Sequence, residues 1–186
     1  MSLTPSNMMP LGTVAPDFTL PDTTKNMTPV SLQELKSDRA TVIMFICNHC
    51  PFVRHIQEEI ARLASEYQPH GVSFIAISAN DVENYPDDSP ELMAEEAEMA
   101  DYTFPYLYDE TQDIAQAYNA ACTPDIFVFD GKLECAYRGQ FDGSRPGNDV
   151  PVTGEDLRAA LDAMLSGTEV NPNQRPATGC NIKWKG

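Results

Sequence analysis

Basic residues are missing from the middle of the sequence. No Lys or Arg occurs between Leu63 and Gly131, whereas the same stretch carries fifteen carboxylates. The whole chain has 12 basic and 28 acidic residues, which gives a net charge of −16. Nucleic acids and anionic membranes repel such a surface, so the charge argues against both as partners. We interpret the acidic stretch (64–130) as a solvated face; the alternative is that it repels anionic partners and attracts cationic ones.

Long hydrophobic runs are absent too. The longest strictly apolar run, Val42 to Cys47, is far too short to span a membrane. The N-terminus lacks the basic start and apolar core of a signal peptide, so the cytoplasm is the expected location. Hydrophobic residues still make up 42% of the 186 residues, which is enough for the core of one domain.

Cysteine is scarce, and its few positions are informative. Five cysteines in 186 residues are too few for a secreted domain held together by disulfides. Two of them, Cys47 and Cys50, are separated only by Asn48 and His49. In a reducing cytoplasm, such a close pair is more typical of a catalytic or metal-binding site than of a structural disulfide.

Apolar periodicity places this pair between a strand and a helix. The run from Ala40 to Cys47 is continuous and rich in β-branched residues, as in a strand buried on both faces. After it, apolar residues recur every three or four positions, as on one helix face: Phe52, Ile56, Ile60, Leu63 and Tyr67. The prediction therefore puts Cys47 at the helix N-terminus and Cys50 one turn inside the helix.

The remaining elements alternate in the manner of an α/β protein. Strands are predicted at 14–20, 72–79 and 125–130, and helices at 89–101, 111–120 and 153–167. A turn at Gly131 and Lys132 joins the strand at 125–130 to a hairpin partner. The sheet should be mixed, with parallel crossovers first and the antiparallel hairpin last. The expected organisation is a flexible N-terminus (1–10), one domain (11–167) and a C-terminal tail (168–186) docked on that domain.

The strand-to-helix junction gives the two cysteines distinct predicted roles. The free N–H groups and the dipole of a helix N-terminus favour a thiolate at Cys47. Cys47 would attack the disulfide of a partner, and Cys50 would resolve the resulting mixed disulfide. His49 would add positive charge, stabilise the thiolate and make the disulfide a better oxidant. The acidic stretch would oppose this effect if it faces the site.

A zinc site is the structural alternative for the cysteine pair. Structural zinc needs four ligands. The sequence has no second CxxC, and His49, His55 and His70 show no ligand spacing. We therefore predict neither a metal nor another cofactor.

A second segment joins the first in a recognisable combination. Residues 121–129 read ACTPDIFVF, so Thr123 and Pro124 stand immediately before a predicted strand. A strand–CxxC–helix unit followed by such a proline resembles the thioredoxin fold, a three-layer α/β/α sandwich with a mixed sheet. The resemblance implies a cis Thr123–Pro124 bond facing the cysteines. It also implies that Thr123, Pro124 and Asn48 bind the substrate, with the Thr123 backbone pairing with it.

Further segments resemble the redoxin branch of this fold. The segment from Val14 to Leu20 looks like the opening of that branch, which holds the AhpC/TSA peroxiredoxins and the TlpA/ResA-like thiol-disulfide oxidoreductases. Five segments are similar to an uncharacterised bacterial group of thioredoxin-like redoxins: CNHCPFV, NDVENYPDDSPE, ACTPDIFVFD, YRGQFDGSRPGN and GCNIKWK. The resemblance runs from about Leu11 onward. It implies an N-terminal redoxin-type extension, a C-terminal tail, and chemistry on protein or small-molecule thiols and disulfides.

Thiol peroxidase, an antioxidant activity, is the alternative reaction. Peroxiredoxins carry Thr or Ser three residues before the peroxidatic cysteine. Met44 and Cys47 occupy the corresponding positions before Cys47 and Cys50. The prediction is therefore a thiol-disulfide oxidoreductase, with peroxidase activity at Cys47 or Cys50 second, and a non-catalytic binding or zinc-holding module third.

Two other cysteines are candidate auxiliary thiols. Cys122 lies two residues before Pro124, and it is either a small buried filler or a third redox thiol. Cys180 lies in the C-terminal tail, where it either packs or meets the active site. Arg145 follows the hairpin and is expected in a surface ion pair, with substrate contact as the alternative.

Overall fold

The computed structural model describes residues 3–186. The described residues form these strands: β1 (Leu3–Pro5), β2 (Thr19–Asp22), β3 (Thr28–Ser31), β4 (Ala40–Phe45), β5 (Val72–Ser78), β6 (Tyr106–Tyr108), β7 (Cys122–Thr123), β8 (Asp125–Phe129), β9 (Cys135–Gly139) and β10 (Thr178–Asn181). The α-helices are α1 (Leu32–Leu35), α2 (Pro51–Tyr67), α3 (Pro90–Met99), α4 (Asp113–Ala117) and α5 (Glu155–Ser166).

Seven strands form the main sheet, in the order β3-β2-β6-β5-β4-β8-β9. The central pairs β4–β5 and β5–β6 are parallel, whereas β4–β8 and β8–β9 are antiparallel. The predicted mixed α/β sheet is therefore confirmed, with parallel crossovers first and the antiparallel hairpin last.

Two cores lie on opposite faces of this sheet, and β4 contributes to both. Every residue of β4 is buried. Val42 and Met44 join one core with residues of α2, α3 and α5, whereas Ile43 and Phe45 join the other with residues of α1 and α4. The alternation follows from the two-residue period of a strand. Helices, sheet and helices thus form the three layers expected from the sequence.

A second, three-stranded sheet ties both ends of the described chain to the domain. Its order is β1-β10-β7, and both pairings are antiparallel. The prediction of a flexible N-terminus (1–10) is wrong for Leu3–Pro5, because the backbone ladder with β10 orders these residues. Met1 and Ser2 lie outside the described residues.

The first predicted strand also differs from the structure. Regular pairing begins at Thr19, and Val14 makes only an isolated bridge to Glu134. The apolar residues of this segment instead pack into the second core, where Ala15 and Phe18 are buried. An apolar segment can be buried without pairing as a strand, and the residues before Thr19 are such a case. Among residues 3–186, no helix has the length and apolar character needed to cross a membrane.

Candidate active site

The cysteine pair lies in the link between β4 and α2. β4 ends at Phe45 and α2 begins at Pro51, so Cys50 is the N-cap of the helix and Cys47 precedes it. The prediction that Cys47 occupies the helix N-terminus is therefore wrong. Pro51 is the first helical residue. Its ring fixes a helical φ, and its missing N–H does no harm there because the first N–H groups of a helix have no intrahelical partner. The helix dipole consequently acts most directly on Cys50.

β7 brings Thr123 to both sulfurs of the pair. Thr123 Oγ1 lies 3.6 Å from Cys47 Sγ, and the Thr123 carbonyl oxygen lies 3.2 Å from Cys50 Sγ. The Thr123–Pro124 peptide bond is cis. The backbone position expected to receive substrate is occupied by the chain itself, because Thr123 pairs with Cys180 of β10.

A buried carboxylate, Asp88, organises the loop between the two cysteines. One of its oxygens accepts from the backbone N–H groups of Asn48, at 2.8 Å, and His49, at 3.3 Å. The other lies 2.5 Å from His49 Nδ1 and accepts from Asn80 Nδ2 at 2.9 Å. Asp88 is wholly buried. Although burial raises the pKa of Asp88, the hydrogen bonds from His49 and Asn80 lower it on balance, so the carboxylate is retained.

His49 is held as a cation beside Cys47. Its Nδ1 lies 4.0 Å from Cys47 Sγ, and its ring stacks on Tyr85 with a centroid distance of 5.5 Å. The hydrogen bond to Asp88 raises the pKa of His49, and burial only partly opposes this effect. The expectation that His49 brings positive charge to the pair therefore has a specific structural cause.

The environment acts in opposite directions on the two cysteines of the pair. Hydrogen bonding with Cys47 and Cys180 lowers the pKa of Cys50 against the opposing effect of burial. Hydrogen bonding with Cys50, burial and the charge of Asp88 all raise the pKa of Cys47. The environment therefore favours a thiolate at Cys50 over one at Cys47, the reverse of the predicted preference. Both side chains are buried, with 2% of Cys47 and 0% of Cys50 exposed.

Asn48 has an internal role rather than a free surface for substrate. Its Nδ2 donates to the Asp87 carbonyl at 2.9 Å, and its Oδ1 accepts from Tyr106 Oη at 3.0 Å. Its own carbonyl accepts from Arg54 Nε at 2.8 Å. These contacts fix the link between β4 and α2 from three directions.

The two candidate auxiliary thiols have different surroundings. Cys180 Sγ lies 2.9 Å from Cys50 Sγ, so the tail cysteine reaches the site. Cys122 is fully buried and its thiol donates to the Pro124 carbonyl oxygen at 3.6 Å. Burial raises the pKa of Cys122 far above its usual range, which favours the packing interpretation. None of the five cysteines forms a disulfide.

Arg145 does not form the predicted ion pair. Within the described residues, its guanidinium donates instead to the carbonyl oxygens of Asp142 and Ser144 and to the side chain of Gln140, each at 2.7 Å. Arg145 therefore closes its own loop, which lines a small cavity beside Pro124.

Cys47, His49 and Asp88 also bring three metal-ligand atoms within 4.8 Å of one another. Two donors on a tetrahedral zinc stand about 3.3 Å apart, since each lies roughly 2.0 Å from the metal. The 2.5 Å between His49 Nδ1 and Asp88 Oδ2 is the length of a charge-assisted hydrogen bond. Asp88 already accepts from three further N–H groups. The geometry favours a hydrogen-bonded array over a zinc centre.

Asp88 is the site residue that sequence reasoning missed. It belongs to the acidic stretch, and no spacing relates it to Cys50, 38 residues earlier, or to Cys47, 41 residues earlier. Its segment, NDVENYPDDSPE, was informative only through the resemblance to a family. The loop sequence is polar and acidic throughout, and nothing in it indicates that Asp88 is wholly buried.

Comparison with known proteins identifies a family and two similar solved structures. The model of the AhpC/TSA family matches residues 11–138. A solved structure of an uncharacterized conserved protein from Geobacillus kaustophilus is 59% identical, with a TM-score of 0.97 over 100% of this chain and 97% of that one. A hypothetical protein from Sinorhizobium meliloti 1021 is 46% identical, with a TM-score of 0.95 over 98% of each chain. No match was found among curated proteins.

A more distant structure relates the fold to redox proteins. Peroxidoxin BcpB from Mycobacterium tuberculosis is 22% identical, with a TM-score of 0.63 over 86% of this chain and 98% of that one. At this identity the likeness concerns the fold alone. The thioredoxin-like α/β sandwich predicted from the sequence is thereby confirmed.

Proposed function

The chain belongs to the AhpC/TSA family, and from this premise we propose that it is a thiol-disulfide oxidoreductase whose Cys47 and Cys50 alternate between dithiol and disulfide. The observation that carries the proposal is that Thr123 contacts both sulfurs of the pair, with its Oγ1 3.6 Å from Cys47 Sγ and its carbonyl oxygen 3.2 Å from Cys50 Sγ. Cys50 is also the N-cap of α2. Two neighbouring thiols, one of them at a helix N-terminus, form the arrangement that thiol–disulfide exchange requires.

The exchange begins with proton transfer within the pair. Cys47 passes its proton to the Cys50 sulfur and attacks one sulfur of the substrate disulfide. The Cys47–substrate bond forms, the substrate S–S bond breaks, and the departing thiolate takes up a proton from water. The His49 imidazolium, 4.0 Å from Cys47 Sγ, stabilises the transient charge on Cys47.

The second step releases the reduced substrate. Cys50 loses its proton and attacks the Cys47 sulfur of the mixed disulfide. The Cys47–Cys50 bond forms, and the second substrate thiolate leaves and is protonated. Two electrons and two protons have then passed from the protein to the substrate; the same steps in reverse oxidise a dithiol. Protein or small-molecule thiols and disulfides in the cytoplasm are the proposed partners.

Thiol counting with matched variants tests this proposal. The reduced protein should present five thiols after unfolding, and two fewer after treatment with the thiol oxidant diamide. Cys47→Ser and Cys50→Ser should abolish catalytic reduction of a disulfide substrate. Cys135→Ser is the control, because Cys135 is buried in β9 and its thiol bonds to the Tyr137 carbonyl. A wild type that loses no thiol at any physiological potential would contradict the proposal, as would one tightly bound zinc per chain with both thiols unreactive.

Thiol peroxidase is the second candidate, and one contact favours it. Peroxiredoxins carry a Thr or Ser hydroxyl three residues before the peroxidatic cysteine, and this sequence has none there. In the structure the hydroxyl of Thr123 is close instead, with Oγ1 3.6 Å from Cys47 Sγ. A peroxide would oxidise Cys47 to a sulfenic acid and leave as an alcohol or water, and Cys50 would then form the disulfide and release water. Rapid, catalytic consumption of hydrogen peroxide with a dithiol donor, lost in Thr123→Val, is the expected result. Slow stoichiometric oxidation would contradict it.

A further inference from the structure

A third sulfur is built into the site by the C-terminal strand. Cys180 Sγ lies 2.9 Å from Cys50 Sγ, and Cys180 is 1% exposed. Cys180 stands opposite Thr123 in the β7–β10 ladder. Thr123 in turn contacts both Cys47 and Cys50. Three cysteines from two distant parts of the sequence therefore surround one residue.

The position of Cys180 is fixed by the backbone around it. β10 is the central strand of its sheet, with β1 on one side and β7 on the other. The preceding residue is Gly179, where an added Cβ would lie 2.0 Å from the Thr123 carbonyl oxygen. Only glycine allows β10 to approach β7 this closely. The residues after Cys180 are also anchored, because the Lys183 N–H donates to Asn80 Oδ1 at 2.9 Å.

We propose that Cys180 is a third redox thiol, which exchanges with the Cys47–Cys50 disulfide and holds the oxidised protein as a Cys50–Cys180 disulfide between the domain and its C-terminal strand. The proposal rests on the thiol–disulfide activity proposed above, which supplies the Cys47–Cys50 disulfide. It adds a second oxidised form and assigns Cys50 as the sulfur shared by both forms.

The exchange is balanced without any further reactant. The Cys180 sulfur, after loss of its proton, attacks the Cys50 sulfur of the Cys47–Cys50 disulfide. The Cys50–Cys180 bond forms, the Cys47–Cys50 bond breaks, and Cys47 leaves as a thiolate that takes up the proton. The protein contains one disulfide before and after the step, so no net oxidation or reduction occurs.

The electrostatics of the reduced site restrict this step to the oxidised protein. Burial and the neighbouring Cys50 sulfur raise the pKa of Cys180 to about 12 in the reduced state. When Cys50 enters a disulfide, its negative charge disappears and one cause of the raised pKa is removed. Cys180 therefore stays an unreactive thiol until the pair has been oxidised.

The exchange would have two consequences for the protein. Cys47 becomes a free thiol again while the molecule stays oxidised. β10 becomes covalently joined to the start of α2, because Cys50 is the N-cap of that helix. The C-terminal strand, which pairs with Thr123, is then locked over the backbone where a substrate would be expected to bind.

Disulfide mapping of the oxidised wild type tests the proposal directly. Trypsin cuts after Arg39 and Arg54, so one peptide (40–54) carries both Cys47 and Cys50, whereas Cys180 lies on another. After treatment with the thiol oxidant diamide, the expected major product is peptide 40–54 linked to the peptide of Cys180, with Cys47 alkylated by iodoacetamide. Cys122→Ser should not alter this product.

The outcomes separate this proposal from the activity on which it rests. Cys180→Ser should lose the link between peptides and keep a disulfide within peptide 40–54. If the wild type holds only the disulfide within peptide 40–54, and Cys180 is alkylated after unfolding, the third-thiol proposal is overturned and the oxidoreductase stands. If no cysteine enters a disulfide, the oxidoreductase proposal itself fails.

Discussion

At the scale of single residues, Asp88 sets the chemistry of the site. It orders the Cys47–Cys50 link through two backbone N–H groups and keeps His49 protonated through a third contact. It also acts against Cys47, because its negative charge raises the pKa of that thiol. One buried carboxylate therefore both orders the loop and disfavours a thiolate at Cys47.

Replacing Asp88 by Asn should separate these effects. The change removes a charged acceptor from a fully buried network, and such a loss costs about 1–3 kcal/mol of unfolding free energy. Without the Asp88 carboxylate, the pKa of His49 should fall and the pKa of Cys47 should be less strongly raised. Urea unfolding and NMR titration of the His49 ring measure the two results. Asp87→Asn is the control, since Asp87 is the exposed neighbour; equal effects in both variants would contradict the role given to Asp88.

The His49–Asp88 pair also predicts how stability depends on pH. The folded-state pKa of His49 is raised above its usual 6.5, so its contribution is complete below about pH 6.5 and is lost as pH rises through the folded-state value. The pKa of Asp88 is lowered below its usual 3.8, so its contribution is lost only in strong acid. The low pKa of Cys50 has the opposite effect, because its contribution rises with pH up to the usual thiol value. The contribution of His49 is therefore measured as the difference in unfolding free energy between the wild type and His49→Gln, and this difference should shrink as pH rises above 6.5.

Denaturant unfolding of both proteins at a series of pH values measures this difference. Cys50 is present in both proteins, so its contribution cancels in the comparison. The difference between the wild type and His70→Gln, which changes an exposed histidine, should not depend on pH in this way. A difference between the wild type and His49→Gln that is constant from pH 6 to pH 9 would count against a protonated His49.

At the scale of secondary structure, local pattern predicted the elements and missed their long-range contacts. The apolar run before Cys47 and the helical face from Ile56 to Tyr67 are visible in the sequence because each depends on its own residues. β1 and β10 give no such signal, since Leu3–Pro5 and Thr178–Asn181 are short and become strands only by pairing. The sequence predicts a start of α2 at Cys47, whereas the helix begins at Pro51. The pattern of apolar residues indicates the buried face of a helix and does not locate its N-cap.

The approach of β10 to β7 depends on the missing side chain of Gly179. Gly179→Ala would place a Cβ against the Thr123 carbonyl, so the two strands must separate. We expect a loss of roughly 1–3 kcal/mol in unfolding free energy, the usual cost of overpacking, and faster alkylation of Cys50 in the native protein. Gly143→Ala is the control, because an added Cβ there meets no atom within 4 Å. Identical alkylation rates in the two variants would show that β10 does not cover Cys50.

At the scale of the whole molecule, two carboxylate-bearing residues of the acidic stretch contact the link between the two cysteines. Asp87 and Asp88 come from it, and both contact Asn48. The interpretation of the stretch as a purely solvated face is therefore wrong for this loop. Lys183 lies nearby, with its Nζ 5.6 Å from the Tyr85 ring centroid. The surroundings of the site therefore contain a basic residue as well as acidic ones, although the protein as a whole is negatively charged.

This charge distribution predicts a dependence of rate on salt. Anionic disulfides should react slowly at low ionic strength, because the protein carries a formal net charge of −16 and Asp88 lies at the site. Raising the salt concentration screens this repulsion. Stopped-flow rates with oxidised glutathione should rise more steeply with salt than rates with neutral hydroxyethyl disulfide. The same salt response for both disulfides would show that the acidic stretch does not affect which substrates react.

The central place of β10 in its sheet also has a consequence for protein synthesis. Cys180 follows Cys50 by 130 residues. At translation rates of about 5–20 residues per second, Cys50 waits roughly 7–26 seconds before its covering strand exists. During that interval the nascent chain carries its reactive sulfurs without the strand that buries them. The covered site thus appears only after β10 has been synthesised, and a ribosome stalled before β10 would leave those sulfurs open to whatever oxidant the cell contains.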